Sequence, residues 1–505
     1  MMTTPTTPNM SQSHLRSART VVLSLLVAVA AACDNSALPS NDPLSSLRAQ
    51  TLAWGACAAG SHPDAQCATM QVPRDYDEPK GTRWSLAVAK LPAKAPRQGV
   101  IFVNPGGPGL SGVRDLLGSG DAYDRLRSRF DIVTFDPRGV GASAPAIRCF
   151  TDTLASAIRD QPSRPSSVVE TTQAATLATD AGSACKAALG VDLPLFGTRD
   201  VARDVDFFRS VLGQDKLHYF GFSYGTYLGA TYAAMFPGRT GRMVLDSAMD
   251  PANDYVKLRR DQAIALDASI RRFVDDCKKR SDCPLSGATV EAATAQLAGL
   301  VRGLDAAPFV GADGRVLSGQ RMQNFIDSSM YTPETGWPAL RKAVAAALAG
   351  NFSAVLDAAH GPGQLVNPAD APYLAVMCHD LSASVGLQVV PQLADAWALD
   401  APFTGRNRAW SVAPCAAWPA RTKVPPAPLR AEGSGDILVV GVSGDPATPV
   451  GWARALASTL AHGHLLEWQG DGHIAYHRGG GCVDDAIDFF LLAGDLPPAG
   501  KVCAP

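Results

Sequence analysis

The sequence lacks the features of several protein classes. Its 505 residues carry a formal net charge of −2, so no excess of basic residues favours nucleic-acid binding. None of its 11 cysteines forms a C-x-x-C pair, which argues against a zinc site. No apolar run reaches the ~20 residues that span a bilayer. The remaining composition, 46% hydrophobic and 18% charged, is that of an ordinary globular protein.

The N-terminus has the layout of an export signal. Two positive residues, Arg16 and Arg19, precede the apolar run Val21–Ala32, and this order is typical of a signal peptide. Residues 1–32 are therefore predicted to be a signal peptide, with a short membrane anchor as the alternative. Cleavage before Cys33 would leave an N-terminal cysteine, which resembles a bacterial lipoprotein, although the preceding alanines also suit the ordinary signal peptidase. We predict lipidation of Cys33 and a polar tether over residues 33–52, in a periplasmic or extracellular protein attached to the cell envelope.

The other ten cysteines are consistent with export. Their number is even, as a disulfide framework requires, and they fall in local couples. In a reducing cytosol these cysteines would instead be free or metal-bound. Pairing of neighbours is the hypothesis, and it gives the bridges Cys57–Cys67, Cys149–Cys185, Cys277–Cys283, Cys378–Cys415 and Cys482–Cys503.

Short apolar runs alternate with helical patterns along most of the chain. This alternation predicts an α/β protein with a mostly parallel central sheet and helices on both faces. Two earlier segments, Ala68–Val72 and Arg83–Leu91, predict an antiparallel β edge. The central strands are predicted at Gly99–Asn104, Asp131–Asp136, Lys216–Phe222, Arg242–Asp246, Asp436–Gly444 and His464–Gly470.

The spacing of the strands predicts two insertions. The long stretch between Asp246 and Asp436 has few strand signals and many helical ones, so residues 251–429 are predicted to form a large, mainly helical cap. The core then comprises residues 53–250 and 430–505. A smaller insert covers Ala144–Gly197, and the helix after it is predicted to have Thr198 as its N-cap.

The sequence Gly221-Phe222-Ser223-Tyr224-Gly225 is a G-x-S-x-G motif between a predicted strand and a predicted helix. In that context the motif presents a serine nucleophile on a sharp turn at the top of the sheet. Side chains at the two flanking positions would collide with neighbouring backbone, so glycine is expected at both. An ordinary tight turn is the alternative interpretation.

A serine hydroxyl needs a base and a group that orients the base. His473 lies in a loop after the last predicted strand, and Asp445 directly follows the strand that ends near Gly444. Both positions are at carboxyl ends of strands, where open parallel sheets bind ligands. The order Ser223, Asp445, His473 is that of α/β-hydrolases, and it predicts a catalytic triad.

Alternatives to two members of this triad are present. Asp246 or Asp250 could replace Asp445 as the acid, and Asp445 could instead cap a helix. His477 is a rival to His473, and the two histidines also form an H-x-x-x-H pair. That pair lacks the glutamate of H-E-x-x-H zinc enzymes, so zinc hydrolysis is not favoured.

The tetrahedral intermediate of acyl transfer needs hydrogen-bond donors for its oxyanion. The backbone N–H of Tyr224 is predicted to be one donor. The other is predicted to be Gly107, in the glycine-rich loop Asn104–Gly112 after the first central strand. A phosphate cradle is the alternative, but this loop contains no lysine.

Together these segments resemble the α/β-hydrolase peptidases of the prolyl iminopeptidase group, and more closely its exported tripeptidyl-aminopeptidase-like branch. The resemblance rests on VNPGGPGLSG, FDPRGVGAS, GFSYGTYLGATYAAMFP, VLDSAMDP, VSGDPATP and GDGHIAYH, in that order. It implies an α/β-hydrolase fold with a TAP-like C-terminal part from about residue 402. It also maps that branch's catalytic residues onto Ser223, Asp445 and His473. Asp136 and Arg138, within FDPRGVGAS, are predicted to tie a turn rather than to act in catalysis.

The resemblance also implies a reaction, the release of short peptides from free N-termini. Such an enzyme needs an anion for the substrate ammonium group, and Asp380 in VMCHDL is the predicted anchor, with a capping role as its alternative. An esterase or lipase using the same triad is the second expected function, and a catalytically inactive binding protein is the third. Neither cofactor nor metal is expected to take part.

Overall fold

The predicted strands lie side by side in one sheet of a computed structural model that describes residues 42–58, 60–360 and 370–504. The predicted signal peptide and Cys33 lie outside the described residues. Of the predicted tether, residues 43–52 belong to the folded unit, because Leu44, Leu47 and Leu52 are buried in its core. Residues 43–505 form one unit. In chain order the strands are β1 (Gly55–Ala56), β2 (Gln66–Pro73), β3 (Arg83–Leu91), β4 (Gly99–Asn104), β5 (Phe130–Phe135), β6 (Leu217–Phe222), β7 (Thr240–Asp246), β8 (Phe309–Val310), β9 (Val316–Leu317), β10 (Ile437–Gly444), β11 (Gly463–Asp471) and β12 (Val502–Cys503).

The main sheet has the order β1-β2-β3-β5-β4-β6-β7-β10-β11-β12. The pairs from β1 to β5 are antiparallel, and all pairs from β5 to β12 are parallel. This confirms the predicted mostly parallel sheet with an antiparallel edge, and the fold class is that of an α/β-hydrolase. The two-residue strands β1, β8, β9 and β12 were not predicted, because two residues are too few for a periodic pattern.

Helices connect the strands and fill the insertions. Their bounds are α1 (Ser45–Arg48), α2 (Gly112–Ser119), α3 (Asp152–Asp160), α4 (Val168–Leu189), α5 (Thr198–Val211), α6 (Tyr224–Met235), α7 (Tyr255–Lys278), α8 (Val290–Ala306), α9 (Gly319–Ser329), α10 (Pro333–Leu348), α11 (Phe352–Ala359), α12 (Ala371–Asp380), α13 (Val390–Asp400), α14 (Gly405–Trp410), α15 (Ala413–Ala416), α16 (Val450–Thr459) and α17 (Gly480–Ala493). Within the described residues, none of them combines the length and apolarity that a bilayer crossing requires.

The core lies on both faces of the sheet. Successive residues of a strand point to opposite faces, and in β4 Val100 and Phe102 belong to one buried hydrophobic cluster while Ile101 and Val103 belong to another. All six residues of β4 are buried. A strand that is apolar on both faces is typical of a parallel sheet covered by two layers of helices.

The segment between β7 and β10 contains α7 to α15 and the small β8–β9 hairpin. A third hydrophobic cluster, with Phe273, Leu297, Ile326 and Leu340 among its buried members, lies within this segment. A core of its own is expected for an inserted cap. The boundaries at residues 251–429 stay a prediction.

Ten cysteines are joined in the five neighbour pairs of the hypothesis. The structure differs at Thr198, which is the first residue of α5 rather than its N-cap. Gly197 occupies the N-cap position and makes no side-chain hydrogen bond. Asp380, from α12, supplies the missing acceptor, and the backbone N–H of Thr198 donates to its Oδ2 at 2.8 Å. The cap of this helix is therefore tertiary, which a local pattern does not reveal.

Candidate active site

Ser223 lies at the turn between β6 and α6. Its φ and ψ are 55° and −123°, and a positive φ is uncommon for a residue other than glycine. The backbone N–H of Ser223 donates to the carbonyl oxygen of Asp246 at 3.0 Å, which fixes the turn against the end of β7. This is the strained strand-to-helix geometry that exposes the serine of a nucleophile elbow.

The glycines on either side of this serine have no room for a side chain. A Cβ on Gly221 would lie 2.5 Å from the carbonyl oxygen of Gly225. A Cβ on Gly225 would lie 2.6 Å from the carbonyl oxygen of Asn104. Both distances are far below van der Waals contact, so the motif's glycines are needed for the tight packing of β4, β6 and α6.

His473 and Asp445 form a buried pair beside this turn. The imidazole Nδ1 lies 2.8 Å from Asp445 Oδ2 and 3.0 Å from Oδ1. The residues are 8% and 2% exposed. Asp445 also accepts hydrogen bonds from the backbone N–H groups of Ala447 and Thr448 and from the Thr448 hydroxyl, at 2.8–2.9 Å. The carboxylate therefore fixes the turn after β10 and orients the histidine at the same time. It does not cap a helix, because the N-cap of α16 is Pro449 and has no side-chain hydrogen bond.

The rival residues have other partners. Asp246 accepts hydrogen bonds from the backbone N–H groups of Ala475 and Tyr476, so it holds the loop that carries His473 rather than its ring. Burial raises the pKa of Asp246 to about 6. His477 Nε2 lies 2.6 Å from the carbonyl oxygen of Ala122.

The loop after β4 packs directly on the turn at Ser223. A Cβ on Gly106 would lie 2.4 Å from the carbonyl oxygen of Phe222 and 3.1 Å from the backbone nitrogen of Tyr224. Gly106 has a φ of 94°, and Gly107, the predicted oxyanion donor, has a φ of 102°. This contact brings the two segments that are predicted to supply oxyanion donors together.

A cavity of about 1060 Å³ joins these elements. Its lining includes Gly107, Ser223 and His473, together with residues from α2, α7, α9 and α14. Within the described residues no hydrogen bond involves the Ser223 hydroxyl, and serine–histidine bonds are often long before substrate binds. The predicted residues Gly107, Ser223 and His473 thus line one cavity.

Asp136 and Arg138 have the structural roles predicted for them. Asp136 accepts hydrogen bonds from the Ser111 hydroxyl and from the backbone of Val113 and Ala142. Arg138 forms a bidentate pair with Asp204, and both side chains are 0% exposed.

Asp380 lies apart from the cavity lining. It is 6% exposed, its Oδ2 accepts hydrogen bonds from the backbone and hydroxyl of Thr198, and its Oδ1 lies 2.8 Å from His379 Nδ1. Thr198 in turn lies 2.5 Å from the Tyr224 hydroxyl. The structure therefore supports the capping alternative for Asp380, and we do not retain it as the ammonium anchor. A negative charge at the start of α5 is favourable for the helix dipole.

The cavity has an acidic residue that the sequence did not single out. Asp115, on the first turn of α2, lines the cavity. Burial raises its pKa to about 6, and within the described residues its side chain has no hydrogen bond or ion pair. Its local sequence, VRDLLG, resembles any surface helix, so only the tertiary structure reveals it.

Known proteins resemble this chain over most of its length. The chain is 32% identical to serine protease Hip1 of Mycobacterium tuberculosis, with 90% of this chain and 91% of that protein covered. It is 35% identical to carboxylesterase B of the same species, with 87% and 86% covered. It is 30% identical to tripeptidyl aminopeptidase of Streptomyces lividans, with 90% and 86% covered. The chain belongs to the tripeptidyl-aminopeptidase-like family of α/β-hydrolase serine peptidases.

A family model described as TAP-like protein matches residues 401–503, which confirms the predicted TAP-like C-terminal part. Family membership also confirms that the chain is a serine hydrolase of the peptidase class. A solved structure, proline iminopeptidase of Mycobacterium smegmatis, is 14% identical with a TM-score of 0.37, covering 85% of this chain and 100% of that one. A similarity at that level carries no argument about function.

Proposed function

We propose that this protein is an exported serine aminopeptidase that releases short peptides from free N-termini. The observation that carries the proposal is one cavity lined by Ser223, at a strained strand-to-helix turn, and by His473, whose ring is held by buried Asp445. The similarity to a tripeptidyl aminopeptidase over 90% of the chain supports this substrate class.

The proposed reaction follows from these positions. Asp445 holds the proton of His473 on Nδ1, which leaves Nε2 free to take the proton of Ser223 as its Oγ attacks the scissile carbonyl carbon. The backbone N–H groups of Gly107 and Tyr224 stabilise the oxyanion. When the C–N bond breaks, His473 returns the proton to the leaving amine. Water then attacks the acyl-enzyme by the same route and releases the N-terminal peptide.

An aminopeptidase also needs an anion for the substrate's N-terminal ammonium group, and Asp115 is the proposed anchor. It lines the same cavity as Ser223, and within the described residues it has no competing partner. Its neighbour on α2, Arg114, and Tyr123 also line this cavity. A substrate ammonium group would neutralise a carboxylate that burial otherwise disfavours.

A carboxylesterase is the second candidate, because the relative with 35% identity is named carboxylesterase B. Ester and peptide hydrolysis use the same triad chemistry, so only the substrates that the protein hydrolyses can distinguish the two functions.

The test compares three substrates with purified mature protein and with a Ser223→Ala variant. They are a free-amine tripeptide aminocoumarin amide, its N-acetylated form and p-nitrophenyl butyrate. We expect Ser223-dependent cleavage of the free-amine peptide, with the acetylated peptide spared. Cleavage of the butyrate alone would replace the peptidase proposal with the esterase.

Export and lipid attachment at Cys33 are part of the proposal. The five disulfides favour an oxidising compartment. In fractionated cells that express the full chain, the wild-type protein should sediment with membranes. Cys33→Ala should be recovered in the soluble exported fraction, and sedimentation of this variant with membranes would contradict lipidation.

A further inference from the structure

Arg259 is a buried cation in the wall of the active-site cavity. It lies on α7, is 2% exposed and lines the same cavity as Ser223 and His473. Within the described residues it forms no ion pair with any carboxylate. Arginine stays protonated inside proteins, and an unpaired charge at such burial is unfavourable, so this position calls for an explanation.

The contacts of Arg259 orient the guanidinium without neutralising it. Its Nε donates to the Ser411 hydroxyl at 2.6 Å, and its Nη1 donates to Gln262 Oε1 at 2.7 Å. No hydrogen bond of Nη2 is found within the described part of the chain. One side of a rigid, fork-shaped donor is therefore anchored to neutral groups.

Gln262, one of the two partners of Arg259, connects it to the proposed triad. Gln262 Nε2 donates to the carbonyl oxygen of Ala447 at 2.8 Å, and the N–H of Ala447 donates to Asp445 Oδ1 at 2.8 Å. Two hydrogen-bonded residues thus separate the guanidinium from the proposed catalytic carboxylate. Arg259, Gln262 and Ala447 all line the cavity that holds Ser223 and His473.

The charge of the surrounding wall is also positive. Five arginines and three aspartates line the cavity. Two of the arginines are neutralised, since Arg408 pairs with Asp327 and Arg321 pairs with Asp160. Arg159, on α3, is a second cation of the wall that forms no ion pair within the described residues. Such a wall favours a ligand with negative charge.

We propose that Arg259 forms a subsite for a carboxylate of the substrate. The carboxylate would come from an acidic side chain near the scissile bond or from the C-terminus of a short peptide. A guanidinium donates two parallel hydrogen bonds to a carboxylate, which gives both affinity and orientation. The inference rests on the proposed peptidase function for its substrate, but its chemistry would serve any carboxylate-bearing ligand.

The experiment uses matched substrates that differ only in charge. One pair is Ala-Ala-Glu and Ala-Ala-Gln linked to aminomethylcoumarin, which tests an acidic side chain. The other pair is pentaalanine as free acid and as C-terminal amide, which tests the terminal carboxylate. The quantity measured is the ratio of kcat/KM for the charged and the neutral member, because this ratio does not depend on the amount of folded enzyme.

The variants are Arg259→Met, Arg259→Lys and Arg260→Gln. Arg260 is the neighbouring residue on α7, and it pairs with Asp400 at the surface, so its variant removes the same charge outside the cavity. We expect the wild type and Arg260→Gln to prefer the charged member of one pair about 10- to 100-fold. Arg259→Met should lose this preference, and Arg259→Lys should retain part of it.

The other results are equally decisive. Cleavage of free-amine peptides without any charge preference would overturn the subsite and leave the proposed function standing. A preference unchanged in Arg259→Met would assign Arg259 a purely structural role. If only p-nitrophenyl butyrate is cleaved, the peptidase proposal fails. The subsite is then tested by measuring how strongly the charged and the neutral peptides inhibit butyrate hydrolysis. Equal inhibition by the charged and neutral forms would then overturn the subsite.

Discussion

Tyr331 contacts His473 in two ways. The carbonyl oxygen of Tyr331 accepts a hydrogen bond from the backbone N–H of His473 at 2.8 Å, and the two rings meet edge to face with centroids 5.1 Å apart. Tyr331 lies between α9 and α10, far along the chain from the loop after β11. The inserted helical segment therefore positions the proposed catalytic base directly.

Removal of the Tyr331 ring should weaken catalysis without removing the backbone contact. An aromatic pair of this kind is worth about 0.5–1.5 kcal/mol, so Tyr331→Ala should lower kcat by about 2- to 10-fold. Tyr331→Phe keeps the ring and should retain nearly full activity. The measurement is kcat per titrated active site, and wild-type activity in Tyr331→Ala would show that the ring does not position His473.

The choice between Asp445 and Asp246 as the catalytic acid can be tested with matched substitutions. Asp445→Asn removes the group that holds the proton on His473 Nδ1, so kcat should fall by about 10³- to 10⁴-fold. Asp246→Asn keeps an oxygen that can accept from the backbone of Ala475 and Tyr476. It should lower kcat by less than about 10-fold. Active-site titration corrects both values for folded enzyme, and the reverse order would assign the acid to Asp246.

The raised pKa of Asp246 predicts that the free energy of unfolding depends on pH. Burial raises its folded-state pKa from 3.8 to about 6, against the lowering effect of the backbone hydrogen bonds and of His473. The folded protein binds the proton of Asp246 more tightly than the unfolded chain does. The contribution of this proton to the free energy of unfolding is therefore complete below pH 4 and is lost as the pH rises through 6. Relative to Asp246→Asn, the wild type should lose on the order of 1–3 kcal/mol of unfolding free energy between pH 4 and 7. Urea unfolding across this range measures the difference, and parallel curves would contradict the assigned pKa.

The features that the sequence predicted have a local signature, such as a motif or an apolar run, and those it missed depend on tertiary contacts that leave no such signature. The apolar run of β4 and the two glycines around Ser223 are fixed by interactions within a few residues or by packing that permits one residue type. The role of Asp380 depends on α5, which lies 182 residues earlier in the chain. Nothing in the sequence around Asp380 distinguishes a carboxylate that caps a distant helix from one that binds a substrate. Asp115 and Arg259 were missed for the same reason, since only the folded chain shows which charged groups reach the cavity without a partner.

Asp115 should determine the preference for free N-termini. Asp115→Asn removes the negative charge but keeps the shape, so KM for the free-amine tripeptide should rise about 10-fold or more. Its effect on the acetylated peptide should be small. Since the pKa of Asp115 is about 6, the wild-type preference should be present above pH 6 and decline as the pH falls below it. Asp380→Asn is the matched control and should leave the ratio of free to acetylated substrate unchanged. A loss of preference in that control would restore Asp380 as the anchor.

The buried pair of Arg138 and Asp204 should stabilise the fold without affecting catalysis. Arg138 donates to both oxygens of Asp204 at 2.7–2.8 Å and to the carbonyl oxygen of Leu195 at 2.9 Å. In Arg138→Met, Asp204 would keep the hydroxyl of Tyr76 as a donor but would lose its only buried countercharge in the described structure.

A buried charge left without its partner costs about 3–5 kcal/mol of unfolding free energy. The exposed pair of Arg430 and Glu432, whose side chains are 69% and 70% exposed, provides the control. Arg430→Met should cost less than about 1 kcal/mol, because solvent screens that pair. Urea unfolding gives both values, and kcat per titrated active site should stay at the wild-type level in each variant. A fall in kcat for folded Arg138→Met would mean that the turn after β5 influences the reaction. The same turn contains Asp136, whose hydrogen bonds hold the start of α2.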